Sequence, residues 1–292
     1  MNVGVNIKVM VPWQAKIVAK LILTRLPFGY DFWRKLNLFK HGSMVRPEYA
    51  FNIFRKHFGS VSFARQVGDF TALELGVGDS LFSALIARAY GAKLSYLIDA
   101  GNFAIDDLEL YRQMSCFLAK EGMPVPDISH ARSIAEVLRA CNAQYEAEGL
   151  VSLKKIPDES VDFIWSNAVL EHVRKSEFLA TMVELRRILR DDGVCAHSID
   201  FKDHLGGALN NLRFPTRVWE SDFMACSGFY TNRIGYAEML DIFKKVGFDV
   251  SVIQVKRWDS LPTPISRLAK EFRNISEEHL LVQGAQVVLK PR

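Results

Sequence analysis

Between about residues 67 and 205, short apolar runs alternate with stretches of helical period. Phe70–Leu75, Leu94–Ile98, Val161–Trp165 and Val194–Ile199 have the length and apolar density of buried strands. Leu81–Tyr90, Ile105–Lys120, Ser133–Gln144 and Lys175–Leu189 read as the helices between them. Strands alternating with helices predict an α/β fold: a doubly wound, mostly parallel sheet covered on both faces. Right-handed crossovers leave few ways to order its strands. Further on, Tyr236–Val246 reads as a helix ended by Gly247. Phe248–Val255 and Leu280–Leu289 read as strands that complete the sheet as an antiparallel edge pair, with Pro262–Asn274 as a helix over that edge.

The first 66 residues break the alternation. Ile17, Val18, Leu21, Ile22 and Leu26 recur at helical spacing, with Lys16, Lys20 and Arg25 off that face. Pro27 and Gly29 interrupt, and Phe32, Trp33, Leu36 and Leu38 follow beside Arg34, Lys35 and Lys40. Residues 1–56 hold ten Lys and Arg against two acids, so a net charge of only +4 conceals a basic, aromatic start. This extension, residues 1–66, reads either as a helical lid on the main domain, residues 67–292, or as a membrane-surface helix pair within residues 1–45. No run approaches the roughly 20 apolar residues of a membrane span. Cys116, Cys141, Cys195 and Cys226 lack disulfide or zinc spacing, which fits a reducing, cytoplasmic setting.

Candidate chemistry begins at Leu73-Glu74-Leu75-Gly76-Val77-Gly78-Asp79-Ser80. A buried strand runs into a glycine turn and then a helix, which lets backbone approach a ligand at the carboxyl end of the strand. Asp99 ends the next strand 23 residues after Gly76. An acid there can accept hydrogen bonds from both ribose hydroxyls of a nucleoside, or it can cap the segment that follows. A third element is Ile156-Pro157-Asp158-Glu159-Ser160-Val161-Asp162-Phe163-Ile164-Trp165-Ser166-Asn167-Ala168-Val169-Leu170-Glu171-His172-Val173. Leu185-Arg186-Arg187-Ile188-Leu189-Arg190-Asp191-Asp192-Gly193 comes after it and reads as a helix closing in a glycine turn before the next strand.

In this order and spacing, over about residues 70–200, these blocks resemble the class I S-adenosylmethionine-dependent methyltransferases, in particular their subgroup with an LPxxxxxDxVxxxxxLEHV stretch. The resemblance implies a Rossmann-like methyltransferase fold of seven strands and S-adenosylmethionine as the methyl donor. It implies that Glu74, Gly76 and Gly78 form the donor loop, with Ser80 in place of a third glycine. It places Asp99, with Ala100 beside it, at the donor's ribose. Ser152 and Leu153 fall near its adenine, though an acid usual there is missing, and Ser166 and Asn167 lie beside its amino-acid moiety.

A sulfonium methyl is already activated, so catalysis is mainly in-line positioning, with a general base where the acceptor carries a proton. Candidate bases are His172, Asp200 and His204, although His172 can equally serve a structural hydrogen bond. A metal site built on His197, Asp200 and His204 lacks a convincing third ligand, since His197 falls within the strand, so none is expected. Asn210, Asn211, Arg213, Phe214, Trp219, Phe229, Tyr230, Asn232 and Arg233 fall within 206–235, where relatives add acceptor-specific structure. They suit a polar acceptor, or else a buried loop held by its own hydrogen bonds. The expected activity is methyl transfer to a polar small molecule or glycan: a hydroxyl of a glycan, nucleotide sugar or lipid-linked saccharide. Nucleic acid is not expected as a partner, because the basic region is confined to one end. The rivals are a donor-binding regulator without turnover and a nicotinamide-dependent oxidoreductase. The latter is disfavoured because Leu81 stands where GxGxxG needs glycine.

Overall fold

The computed structural model describes residues 12–23, 25–26, 43–66 and 68–292. The proline–glycine break and the aromatic–basic stretch at 32–40 lie outside these residues. Helix α1 is Trp13–Leu23 and α2 is Pro47–Gly59. The alternating part then runs β1 (Phe70–Leu75), α3 (Phe82–Ala89), β2 (Ala92–Ile98), α4 (Leu108–Lys120), α5 (Ile134–Ala140), β3 (Ala143–Glu146), α6 (Leu150–Lys154), β4 (Val161–Asn167), α7 (Lys175–Ile188) and β5 (Leu189–Asp200). Short helices α8 (Thr216–Trp219) and α9 (Asp222–Ala225) precede α10 (Tyr236–Lys245), β6 (Phe248–Arg257), α11 (Glu277–Leu280) and β7 (Val282–Pro291).

The seven strands form one sheet in the order β3-β2-β1-β4-β5-β7-β6. Strands β1 to β5 are parallel, and β7 runs antiparallel to both β5 and β6. This is the doubly wound, mostly parallel fold expected from the pattern. Its two faces are filled separately, because strand side chains alternate. Phe163, Trp165, Val194 and Ala196 point into a core with α2, α3, α4 and α5. Ile164, Cys195, Ile199 and Val287 point into a second core with α7 and α10. Helix α2 is part of the first core, where Phe54 packs against Phe58, Phe163 and Trp165.

Three readings of the pattern are corrected. Helix 133–144 stops at Ala140; Asn142 takes φ +51° and the chain continues as β3, a strand too short and too polar to register as an apolar run. The supposed glycine turn at 190–193 is an irregularity within β5, where the pairing with β4 slips between Val161 and Phe163. Pro262–Asn274 forms two isolated 3-10 turns, Ile265–Arg267 and Lys270–Phe272, because Pro264 and the extended residues 268–269 interrupt any longer helix. Asp162, within the quoted motif, is structural. It is buried, accepts from Arg65 at 2.6 Å and from the Thr71 amide at 2.8 Å, and so joins β4 to β1.

Candidate active site

Four parallel strands end side by side at the carboxyl edge, in Leu75, Ile98, Asn167 and Asp200. The chain leaves β1 through Gly76 at φ +78° and Gly78 at φ +66°, a region that only glycine enters without strain. Gly76 also has no room for a side chain, since a Cβ there would overlap the methyl groups of Val169, just beyond β4. The Gly78 amide donates to Asp99 Oδ2 at 2.9 Å, and the Ala100 amide donates to Asp99 Oδ1 at 2.7 Å. The Asp99 carboxylate therefore holds the loop in shape, at the strand end where the resemblance places the donor's ribose. Glu74 is buried in β1, and its Oε2 has no hydrogen-bond partner. Burial raises its carboxyl well above the usual range, opposed by the Ser83 hydroxyl and reinforced by the Asp99 charge. A buried acid with an unanswered oxygen beside an opened glycine loop fits a donor that carries an ammonium, a sulfonium and a ribose diol. When bound, that donor supplies an electrophilic methyl group.

Other expected donor residues are placed differently. Ser80 is buried and donates to the Met44 carbonyl at 2.6 Å, tying the N-terminal segment to the donor loop. The Ser166 hydroxyl is fully buried against His197 Nδ1 at 2.7 Å. Asn167 Oδ1 faces His57 Nε2 of α2 at 3.3 Å. Ser152 accepts from the Glu148 amide through its hydroxyl, and Leu153 uses its amide on Gly149 and its carbonyl on Arg187. The end of β3 and the turn after it also adjoin Asp99. The Asp99 amide donates to the Glu146 carbonyl, the Gly149 amide donates to the Asp99 carbonyl, and Gly149 packs on Ala100. The sequence reading missed Glu146–Gly149 because it ran a helix almost to this point; the glycine after an acid was the available signal.

The second half of the edge is built from three distant segments. After β4, Ala168 takes φ +55° and the chain turns through Glu171 and His172. Asn232, almost wholly buried, locks this turn: its side-chain amide donates to the carbonyls of Leu170 and Val173, and its own amide donates to the Glu171 carbonyl. His172 Nδ1 meets the Tyr230 carbonyl at 2.8 Å, so the proton sits on Nδ1 and Nε2 is the basic nitrogen. Beyond β5, buried Asp203 accepts from the amides of Leu205, Gly206, Gly207 and Asn210 and fixes the loop carrying His204. The rings of His172 and His204 meet edge to face at 4.6 Å. Burial lowers the pKa of His204, partly countered by the Asp200 charge. Asp200, at the end of β5, pairs with Lys202 at 3.1 Å. Thus His172, Asp200 and His204 converge at the same edge as Asp99.

Of the polar and aromatic residues between 210 and 233, several are used up inside their own loop. Trp219 is buried and donates to the Thr231 carbonyl, Asn211 bonds Thr231, and Arg233 pairs with Glu220 while packing between Trp219 and Phe272. The alternative of a buried loop held by its own hydrogen bonds is the observed one for these side chains.

Comparison with known proteins adds three findings. A family model described as a methyltransferase domain matches residues 112–197. No curated protein matches the chain. Similar solved structures include the YcgJ protein of Bacillus subtilis, at 16% identity over 84% of this chain and 99% of that one with a TM-score of 0.45. A putative S-adenosylmethionine-dependent methyltransferase of Listeria monocytogenes is 16% identical over 85% and 99%, with a TM-score of 0.44. A methyltransferase of Archaeoglobus fulgidus that depends on the same donor is 11% identical over 90% and 100%, with a TM-score of 0.47. The family match runs from α4 to β5 and so takes in β4 and the Glu171–His172 turn. The strand order is the one that the motif resemblance implied, and residues 112–197 of the chain match a methyltransferase domain.

Proposed function

We propose that the acceptor is a hydroxyl of a sugar-like molecule, seated where the His172–His204 pair meets the donor loop. The observation that carries this reading is the pairing of two imidazoles with Glu171 and Asp200 at one strand edge, beside Val169, which packs on Gly76. Polar and ionisable groups concentrated there suit a hydroxylated acceptor and offer nothing that an aromatic ring alone would need. In the reaction, the acceptor oxygen forms a bond to the methyl carbon while the carbon–sulfur bond breaks, its electron pair remaining on sulfur. The hydroxyl proton passes to a group of this cluster, His172, His204 or Asp200. The chain's contribution is alignment and exclusion of water, with Glu74, Gly76, Gly78 and Asp99 holding the donor and Glu146–Gly149 bordering its adenine.

The test has two steps. Calorimetric titration with S-adenosylhomocysteine on wild type and Asp99→Ala is expected to show saturable binding weakened about tenfold to hundredfold by loss of two ribose hydrogen bonds to a charged group. A panel of sugar nucleotides, lipid-linked sugars, catechols and peptides is then incubated with donor and followed by mass gain. Methylation of only catechols or peptides sinks the sugar-hydroxyl reading.

A second feature supports contact with an anionic lipid surface. Helix α1 buries Ile17 against Trp219 and Tyr230 but leaves Val18 and Ile22 more than half exposed. Exposed Phe223 of α9 lies under the Arg25 guanidinium at 3.8 Å, and Arg25 also donates to its carbonyl. Exposed Val18, Ile22 and Phe223 beside the Arg25 guanidinium are what a helix lying in a membrane interface presents. No helix among the described residues is long and apolar enough to cross a membrane. Flotation with anionic vesicles is expected for wild type and lost on Val18→Asp with Ile22→Asp; flotation of neither protein removes the lipid-surface reading.

A further inference from the structure

We propose that Glu171, His172 and His204 form a binding site for a divalent transition-metal ion. One ligand atom from each of the three residues can be chosen so that all lie within 4.8 Å of one another. Glu171 is 2% exposed, and neither carboxylate oxygen has a hydrogen-bond partner beyond a loose approach of its own amide and that of Asp200. An unanswered buried carboxyl is costly in either protonation state, and more so as the anion. Its backbone is held by Asn232, so the side chain cannot escape by moving its turn outward. Among the described residues, the Lys202 ammonium lies on Asp200 and that of Lys20, which also reaches toward His204, donates to the Gly228 carbonyl. A metal ion bound by the two imidazoles would supply the charge that Glu171 lacks.

The donor set selects the kind of ion. Two imidazoles and one carboxylate suit zinc, iron, cobalt or manganese, whereas magnesium and calcium favour oxygen ligands. Ligands at about 2.1 Å around a tetrahedral ion stand about 3.4 Å apart, so the three side chains close by about an ångström on binding. His172 already carries the outer bond of a metal ligand: Nδ1 on a backbone carbonyl, which turns Nε2 toward a metal and fixes the ring. Three protein ligands leave a fourth position for water or for an oxygen of the acceptor, and with both imidazoles on the metal the acceptor's proton passes to Asp200. This last role rests on the function proposed above; the site itself does not. Sequence reading had set a metal aside because it grouped His204 with His197. His197 is fully buried against Ser166, away from His204, and Glu171 is the missing ligand.

The experiment uses the tag-free full chain, stripped with a chelator and titrated with Co2+ and Zn2+, with bound metal counted by mass spectrometry and the visible bands of Co2+ recorded. One ion per chain is expected, with Co2+ bands of four- or five-coordinate form. Glu171→Gln and His204→Ala are each expected to weaken binding at least about tenfold. Circular dichroism confirms folding, and His204→Ala, in a loop, serves if Glu171→Gln does not fold. Absence of stoichiometric binding, or weak binding that neither substitution changes, overturns the site. Titration with S-adenosylhomocysteine on the same samples separates the readings: donor binding without metal binding overturns the metal site alone, and metal binding without donor binding leaves it standing while overturning the donor site.

Discussion

The two halves of the strand edge, the one proposed to hold the donor and the one proposed to meet the acceptor, are made in different ways. The donor half uses backbone and short range: Gly76, Gly78 and Asp99 belong to two adjacent strands, and their contacts are amides on one carboxylate. The acceptor half uses side chains from three segments, Glu171–His172, Asp200–His204 and Tyr230–Asn232, held together by Asn232 and Asp203. A donor common to many enzymes can be held by a local backbone device, whereas the acceptor is met by loops whose composition is free to vary. Histidines mark the seam between the halves. His57 reaches Asn167 and Ser198 from the α2 side, and His197 reaches Ser166 from the other face of the sheet.

Breaking the donor half is expected to have the largest effect. In Gly76→Ala, a Cβ in the left-handed region must displace Val169, costing about 2–5 kcal/mol in combined strain and overpacking. Calorimetry with S-adenosylhomocysteine is expected to show at least about a hundredfold loss, a penalty of about 2.7 kcal/mol. Wild-type affinity in this variant would mean that the loop does not hold the donor.

Next comes the seam. Burial drives the His57 pKa down to about 4 and that of His197 to about 3. Unfolded histidine takes up its proton near pH 6.5, so between that value and about 4 the unfolded chain binds more protons than the folded one. Stability is therefore full above pH 6.5 and falls as pH drops through this window, by on the order of 3 kcal/mol for His57. Urea unfolding at pH 7 and pH 4.5 measures it, and His57→Asn is expected to flatten the dependence. An unchanged slope would show that His57 is not held neutral.

A smaller effect sharpens the division. Asn232→Ala removes the partner of the Leu170 and Val173 carbonyls and is expected to cost about 2 kcal/mol, read as a lower thermal midpoint. Turnover should fall while affinity for S-adenosylhomocysteine stays within about twofold, since the donor loop is braced by Asp99 instead. Equal losses in both would show the halves to be one coupled unit.

Much of this architecture was legible before folding. Apolar runs such as Phe70–Leu75 and Val161–Trp165 mark buried parallel strands because both faces of such strands are covered. The polar, four-residue β3 escaped, since its burial is partial and no run of apolar residues announces it. The place of Asp99 just after β2 was readable from its spacing after the glycine turn. The partnership of Glu171, His172 and His204 was not, for 31 residues separate His172 from its fellow His204 after the chain has crossed α7 and β5. Periodicity and glycine placement act over one or two elements, so the sequence alone determined most of the sheet, its winding and the glycine loop after β1. Which distant side chains meet at the strand edge depends on strand order and on loop hydrogen bonds such as those of Asn232 and Asp203. These are long-range contacts with no local signature, and only the tertiary structure decided them.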